Sequence, residues 1–318
     1  AWAWAGTAGA LLVAPLLLPP AAADGDPLRV SIVQGSIPRD TADLFERDIA
    51  ILRSHLELTR EAASARPDLV VWPESSVGLD VDRTRDAARA LTLAARSARA
   101  PLVVGGNLDV DAGHYKVMAF AVSEKGGIVD RYQKTHLVPF GEYVPARDLL
   151  DWIPMLDQVP RDAIAGDEID VFALAGGRVA PVISFEGDFG SLVRRRMDAG
   201  GRLLIVATNT STWGNSWASA QHLAFSQVRA AENGVWVVHA ALTGISAFVA
   251  PDGRVLGETG LYEESIVVRD VSFADDITFY ARTGDWLPWL CVAGSAVGLL
   301  AALRRGRSNR LGGGGREG

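Results

Sequence analysis

The sequence predicts a layered α/β domain held between two uncharged apolar segments, and three observations lead there. Short apolar runs alternate with stretches of helical periodicity through the middle of the chain. Several of those runs are apolar throughout, as strands covered on both faces are. Mean hydropathy is +0.14 despite 22% charged residues, and the apolar excess sits at the two ends.

The elements follow in order. "LRVSIVQG" (28–35) is a β-rich run, and residues 41–63 then place Leu44, Ile49, Leu52 and Leu56 near helical spacing. "DLVVWPE" (68–74) is a short buried strand, followed by an Ala/Arg-rich helix over 82–99 and a third strand, "PLVVGGNLD". "HYKVMAFAVSEKGGIVDRYQK" reads as a hairpin turning at Glu124–Gly127. After a loop-rich stretch, 138–170, come the strand "VAPVIS", the helix "SLVRRRMDAG", the strand "LLIVATN" and a helix over 217–232. "VWVVHAA" and a hairpin turning at Asp252–Gly253 are expected to complete the domain. At 318 residues the chain can bury a sizeable core.

The ends read as membrane segments. Residues 1–23 contain no charge, and "WLPWLCVAGSAVGLLAAL" (286–303) is close to the roughly 20 residues that cross a bilayer. Trp286 and Trp289 suit an interface, and "RRGRSNR" after Leu303 marks a cytoplasmic end. The expected organisation is a transmembrane segment and linker over 1–27, the last of a truncated membrane bundle. An extracytoplasmic domain over 28–280, a transmembrane helix over 281–303 and a basic, Gly-rich tail over 304–318 follow. The tail's "LGGGGREG" reads as disordered.

Composition excludes several function classes. A net charge of −7 gives no basic excess for nucleic acid. The single cysteine, Cys291, lies in the second apolar segment, so the central domain has neither a disulfide nor a thiol. The five histidines lack HxxxH or HExxH spacing, so neither a metal nor another cofactor is expected. "VISFE" is not a GxSxG elbow, and "VVGGNLD" lacks dinucleotide-binding spacing. "RRR" (194–196) on a helix reads as a solvated face.

Three strand ends carry residues capable of chemistry. Glu74 follows "VVWP", Lys134 follows "DRYQ" with Glu142 in the turn-rich loop beyond, and Ser184 ends "VAPVIS" with Glu186 two residues on. Asn209 and Trp213, in "TNTSTWG", follow another strand on the same expected rim.

Together these stretches resemble the nitrilase superfamily, and within it the apolipoprotein N-acyltransferases of bacterial inner membranes. The likeness runs through "VSIVQGSIPR", "VVWPES", "YQKTHLVPFGEYVP", "VISFE", "TNTSTWG", "QHLAFSQVRAAENG" and "TGISAFVAPDGRV", roughly residues 28–257. "KTHLVPFGEYVP" is its most specific element. The resemblance implies a nitrilase-like αββα sandwich flanked by transmembrane segments, in a multi-pass protein whose catalytic domain is extracytoplasmic. It implies transfer of an acyl chain from a phospholipid to the amino group of a diacylglyceryl-cysteine lipoprotein, through a covalent acyl-enzyme. By position Glu74 is the general base, Lys134 the cation beside the tetrahedral intermediate and Glu142 a second essential carboxylate. Phe185 and Glu186 fall on the next two family positions. For Asn209 and Trp213, on the same expected rim, lining the acyl pocket and turn or packing roles both stay open. The four are the supporting or substrate-binding candidates.

The family's nucleophilic cysteine falls on Ser184, and a hydroxyl needs a better-aligned base than a thiol does. Weakened activity, an engineered Cys→Ser replacement and a working serine acyltransferase all stay open. So does a nitrilase-like module that binds lipid or lipoprotein without turnover. A second departure is the stretch "RDTADLF" (39–45), which lacks a tryptophan that many relatives carry.

Overall fold

The computed structural model describes residues 25–38, 43–150 and 152–312. The expected first membrane segment (1–23) and most of the Gly-rich tail lie outside them, as do residues 39–42 of the stretch without the tryptophan.

The elements are β1 (Pro27–Gln34), α1 (Leu44–Ala62), β2 (Leu69–Val71), α2 (Arg85–Ala98), β3 (Leu102–Asp109), β4 (His114–Val122) and β5 (Ile128–Gln133). The loop beyond carries α3 (Arg147–Leu150) and β6 (Asp162–Ala163). Then come β7 (Phe172–Leu174), β8 (Gly177–Ile183), α4 (Gly190–Asp198), β9 (Leu203–Thr208), α5 (Ala218–Asn233), β10 (Val237–Ala241), β11 (Ala247–Val249) and β12 (Val255–Leu256). The last are β13 (Ser265–Ser272), α6 (Phe279–Thr283) and α7 (Trp286–Gly312).

They form two sheets of one design. The first has the order β13-β1-β2-β3-β4-β5, with β6 beside β4; the second is β12-β11-β10-β9-β8-β7. In each, three central strands are parallel, β1, β2 and β3 in one and β8, β9 and β10 in the other, with antiparallel strands outside. The inner faces share one core, with Val30, Ile32 and Val71 meeting Ile183, Ile205 and Val238. Leu58 and Leu91 of α1 and α2 pack on the outside of the first sheet against Val70 and Val104. Val193 and Leu223 of α4 and α5 pack on the outside of the second against Val182 and Val237. The result is four layers, helix, sheet, sheet, helix. Each fully buried Val, Leu or Ile side chain contributes about 1.5–3 kcal/mol, so these three clusters dominate the stability.

One expectation fails here. The hairpin at Asp252–Gly253 does not complete the domain. The chain goes on to β13, which returns to pair antiparallel with β1 from Pro27↔Ser272 to Gln34↔Ser265. β13 is an edge strand with only its last two residues buried, so it carries little of the apolar signal that marks the others.

The second apolar segment is helical. Residues Trp286–Arg304 of α7 form the one helix among the described residues that is long and apolar enough to cross a membrane, and none of it is buried in the domain. Helical backbone continues past Leu303 to Gly312.

Candidate active site

Strand direction decides what shares a rim. β1, β2 and β3 run together, and two antiparallel steps bring β5 back to the same direction. Glu74 after β2 and Lys134 after β5 therefore emerge at one edge of the first sheet. Ser184 after β8 and Asn209 after β9 emerge together from the second sheet. Carboxyl ends of parallel strands are where open α/β sheets form ligand crevices.

Lys134 is the centre. Its side chain is wholly buried, with Nζ 3.2 Å from Glu74 Oε1 and 2.5 Å from Glu142 Oε1. Glu142 Oε2 also accepts from the Val138 N–H at 2.8 Å, which anchors the loop after β5. Burial alone would lower the Lys134 pKa, but the charges of Glu74 and Glu142 overcome it and raise the pKa above its ordinary value. The ammonium is charged at any working pH.

Two carboxylates around one ammonium leave an excess negative charge. Glu142 has the shorter contact, and Glu74 the longer. Burial raises the Glu74 pKa, the Lys134 charge opposes this, and Glu142 adds to the rise. A carboxylate so placed takes a proton more readily than an exposed one.

Glu74 reaches this position because β3 lacks side chains where its loop crosses. A Cβ on Gly105 would lie 2.4 Å from the Pro73 carbonyl oxygen and 2.6 Å from Glu74 Cα. The "VVGGNLD" stretch thus has a packing reason for its glycine.

Ser184 is held by strain and by a clamp. Its φ is +49°, in the left-handed region that non-glycine residues seldom adopt. Its Oγ lies 3.1 Å from Thr208 Oγ1 at the end of β9. The next residue, Asn209, hydrogen-bonds Glu74 through its backbone, so Ser184 and Glu74 are linked through neighbouring residues of β9 and its loop.

Glu186 is the clamp. Its Oε1 accepts from Tyr132 Oη, from the Thr135 N–H and hydroxyl at 2.8 Å each, and from the His136 N–H at 3.2 Å. Its Oε2 accepts from the Ile183 N–H at 2.9 Å and faces Arg196 at 3.7 Å. Burial pushes the Glu186 pKa up, yet Arg196, Tyr132 and these N–H groups outweigh it and hold the pKa below the ordinary range. Glu186 therefore stays ionised and ties the Ser184 turn to the segment that follows Lys134.

Of the other expected positions, Asn209 joins this network through its backbone alone, and Phe185 and Trp213 make no hydrogen bond to it among the described residues. Phe185 meets Phe189 edge to face at 4.8 Å. Asn209 Oδ1 caps the Ser211 N–H at 3.1 Å, and Trp213 is 62% exposed on the next turn.

Two members of the network were not legible as such. Arg196 belongs to the "RRR" stretch expected on a solvated face, but it is wholly buried. Its Nε donates to the Pro181 carbonyl at 2.8 Å and its guanidinium lies 4.5 Å from the Tyr132 ring centroid. Helical spacing does not reveal a cation turned inward toward a carboxylate on another element. Tyr132 did carry a signal, because it lies two residues before Lys134 on β5 and so shares its face.

Known proteins are similar to this chain in sequence or in fold. A family model described as carbon-nitrogen hydrolase matches residues 29–278. Apolipoprotein N-acyltransferase from Geobacter metallireducens is 37% identical over 289 residues, covering 88% of this chain and 55% of that protein. The same-named protein of Gloeobacter violaceus is 31% identical, covering 90% and 56%, and that of Mycolicibacterium smegmatis 30%, covering 94% and 54%. The chain spans about half the length of these curated relatives. Among solved structures, a mutant of the amidase from Nesterenkonia sp. AN1 superposes with a TM-score of 0.62 at 20% identity, covering 82% of this chain and 95% of that one. A Cys-to-Ser mutant of that amidase, described as of the nitrilase superfamily, gives 0.58 at 21%, covering 77% and 91%.

Proposed function

Since this chain belongs to the carbon-nitrogen hydrolase family, we propose that it is the catalytic part of a bacterial membrane enzyme. In this reading it moves an acyl chain from a phospholipid to the amino group of a diacylglyceryl-cysteine lipoprotein. The observation that carries the reading is the cluster of buried Glu74 and Lys134 with partly buried Glu142, on one rim with Ser184. The names of the relatives supply the acceptor class, and exposed apolar residues supply a reason for a lipid donor. Leu149, Trp152 and Met155 on the loop after Glu142 are each more than 70% exposed, and α7 offers an apolar anchor. The domain over 28–280 then lies outside the cytoplasm.

The chemistry runs in two balanced steps. Ser184 Oγ attacks the ester carbonyl carbon, and Glu74 takes the hydroxyl proton. The oxyanion forms beside the Lys134 ammonium, the bond to the glycerol oxygen breaks, and Glu74 returns the proton to that oxygen. The acceptor amine then attacks the acyl-serine, its proton passes through Glu74 to Ser184 Oγ, and an amide leaves. Glu142 holds Lys134 in place and keeps it charged.

A second reading keeps the site but not the turnover. Among the described residues Ser184 Oγ hydrogen-bonds Thr208 and not Glu74, so the hydroxyl is not aligned on its base. One experiment separates the two. The chain is incubated in detergent with acyl-labelled phosphatidylglycerol and a diacylglyceryl-cysteine peptide, then followed by intact mass. An acyl adduct that is lost in Ser184→Ala, with labelled amide product, supports catalysis. Neither adduct nor amide, with lipid still bound, leaves the binding module.

A further inference from the structure

On the same rim, a cleft of about 570 Å³ opens between the segment after β1 and the turn after β9. Its wall includes Ile37 from the segment after β1, Arg47 from α1, Ser211, Thr212 and Asn215 from the turn after β9, and Tyr262. β1 runs parallel to β2, and β9 to β8, so both walls lie at the edge that carries Glu74 and Ser184. The connection is short. Asn209 hydrogen-bonds Glu74 through its backbone, and Ser211 is two residues on, within about 7 Å of chain.

The lining has one sign. Arg47 is its cation, Ser211, Thr212 and Asn215 add neutral donors, and no carboxylate is among the described lining residues. Arg47 makes no ion pair among the described residues, and its Nε is buried without a hydrogen-bond partner. Its neighbour Asp48 is packed against Gly78, where an added Cβ would meet the carboxyl carbon at 2.2 Å, and it feels the Arg47 charge without forming an ion pair with it. An unpaired guanidinium nitrogen out of water costs free energy unless a ligand satisfies it.

We infer that this cleft is an anion subsite that binds the phosphodiester of the acyl donor. The inference rests on the proposed function for the donor's identity. A glycerophospholipid carries its acyl esters and its phosphodiester on one glycerol, so a nucleophile on this rim needs a phosphate site a few ångströms away. The guanidinium fork matches two phosphate oxygens, and the hydroxyls and the amide can take the others. Trp213 and Trp217, 62% and 74% exposed on the same turn, would lie along the acyl chains.

The test measures binding, so it does not depend on turnover. Titration calorimetry compares the chain with Arg47→Gln, using dihexanoyl phosphatidylglycerol, dihexanoylglycerol and inorganic phosphate as separate probes. The expected result is that Arg47→Gln weakens the phospholipid at least tenfold and leaves the phosphate-free diacylglycerol unchanged. Inorganic phosphate alone should bind far more weakly than the phospholipid. The inference is overturned if Arg47→Gln leaves phospholipid affinity unchanged, if both lipids weaken equally, or if free phosphate binds as tightly as the phospholipid. Circular dichroism and melting temperature check that the variant is folded, and Arg47→Lys, which keeps the charge and loses the fork, should fall between. Loss of acyl transfer with phospholipid binding intact would count against the proposed reaction and not against this subsite.

Discussion

Arg196 Nη2 lies 3.7 Å from Glu186 Oε2, and neither side chain is exposed to solvent. The pair joins α4 to the turn that presents Ser184, and Glu186 extends the link to Tyr132 on β5 and to Thr135 and His136 beyond it. Removing one partner strands a buried charge, which costs about 3–5 kcal/mol. Arg196→Met is therefore expected to lower the melting temperature by roughly 10 °C. Adding Glu186→Gln should recover part of that loss, because the stranded charge is gone. A double variant whose loss equals the sum of the single losses would show that the two groups are not coupled.

Glu74→Gln should separate chemistry from stability. Burial raises the Glu74 pKa, so its charged form is destabilising at neutral pH and its removal should not unfold the domain. Lys134 keeps Glu142 as its partner. Acyl transfer should fall by about 10²-fold or more, with the melting temperature nearly unchanged. A collapse of the melting temperature with activity retained would make Glu74 a structural ion-pair partner.

Ser184→Cys replaces a hydroxyl with an ionisable thiol of nearly the same shape. The backbone cost of φ +49° is the same for both residues, so packing should change little. Acyl transfer should rise at least tenfold, a barrier change of about 1.4 kcal/mol. Equal rates for the two proteins, measured at equal folded concentration, would show that the serine is already a competent nucleophile.

Acid should weaken the fold through two buried histidines. His55 Nδ1 donates to the Ile51 carbonyl at 2.8 Å and Nε2 accepts from the Gly35 N–H at 3.2 Å, so the ring is held neutral. Burial lowers its pKa to about 4, and that of His239 to about 3. Both folded values lie below the unfolded value of 6.5, so their contribution is fully present above that pH. It is lost as pH falls from 6.5 toward 4 and 3, at about 1.4 kcal/mol per pH unit for each histidine. Urea unfolding at about pH 7 and about pH 5 should differ by roughly 4 kcal/mol from these two groups. His55→Asn should remove about half of that difference; an unchanged pH slope would exclude His55 as its source.

The sequence by itself determined the central strands, the four packed helices and which residues sit at those strand ends, because these follow from local periodicity and turn chemistry. The stretches 68–74, 114–134 and 179–184 end just past β2, β5 and β8, and Glu74, Lys134 and Ser184 could be singled out there. Only the tertiary structure decided what those residues touch. β13 returns to β1 across 231 residues at Gln34↔Ser265 and 245 at Pro27↔Ser272, and no local pattern announces such a pairing. Arg196 has the spacing of a surface residue, yet it is buried because its carboxylate partner is held on the neighbouring turn by Tyr132, 54 residues away in the chain. The "VVGGNLD" stretch lacks dinucleotide-binding spacing, and only the crossing of the Glu74 loop over Gly105 supplies a reason for its glycine. In each case the deciding energy is a contact between distant segments. Burial, ion pairing and close approach of backbones depend on which segments meet, and periodicity along one segment carries no record of its partner.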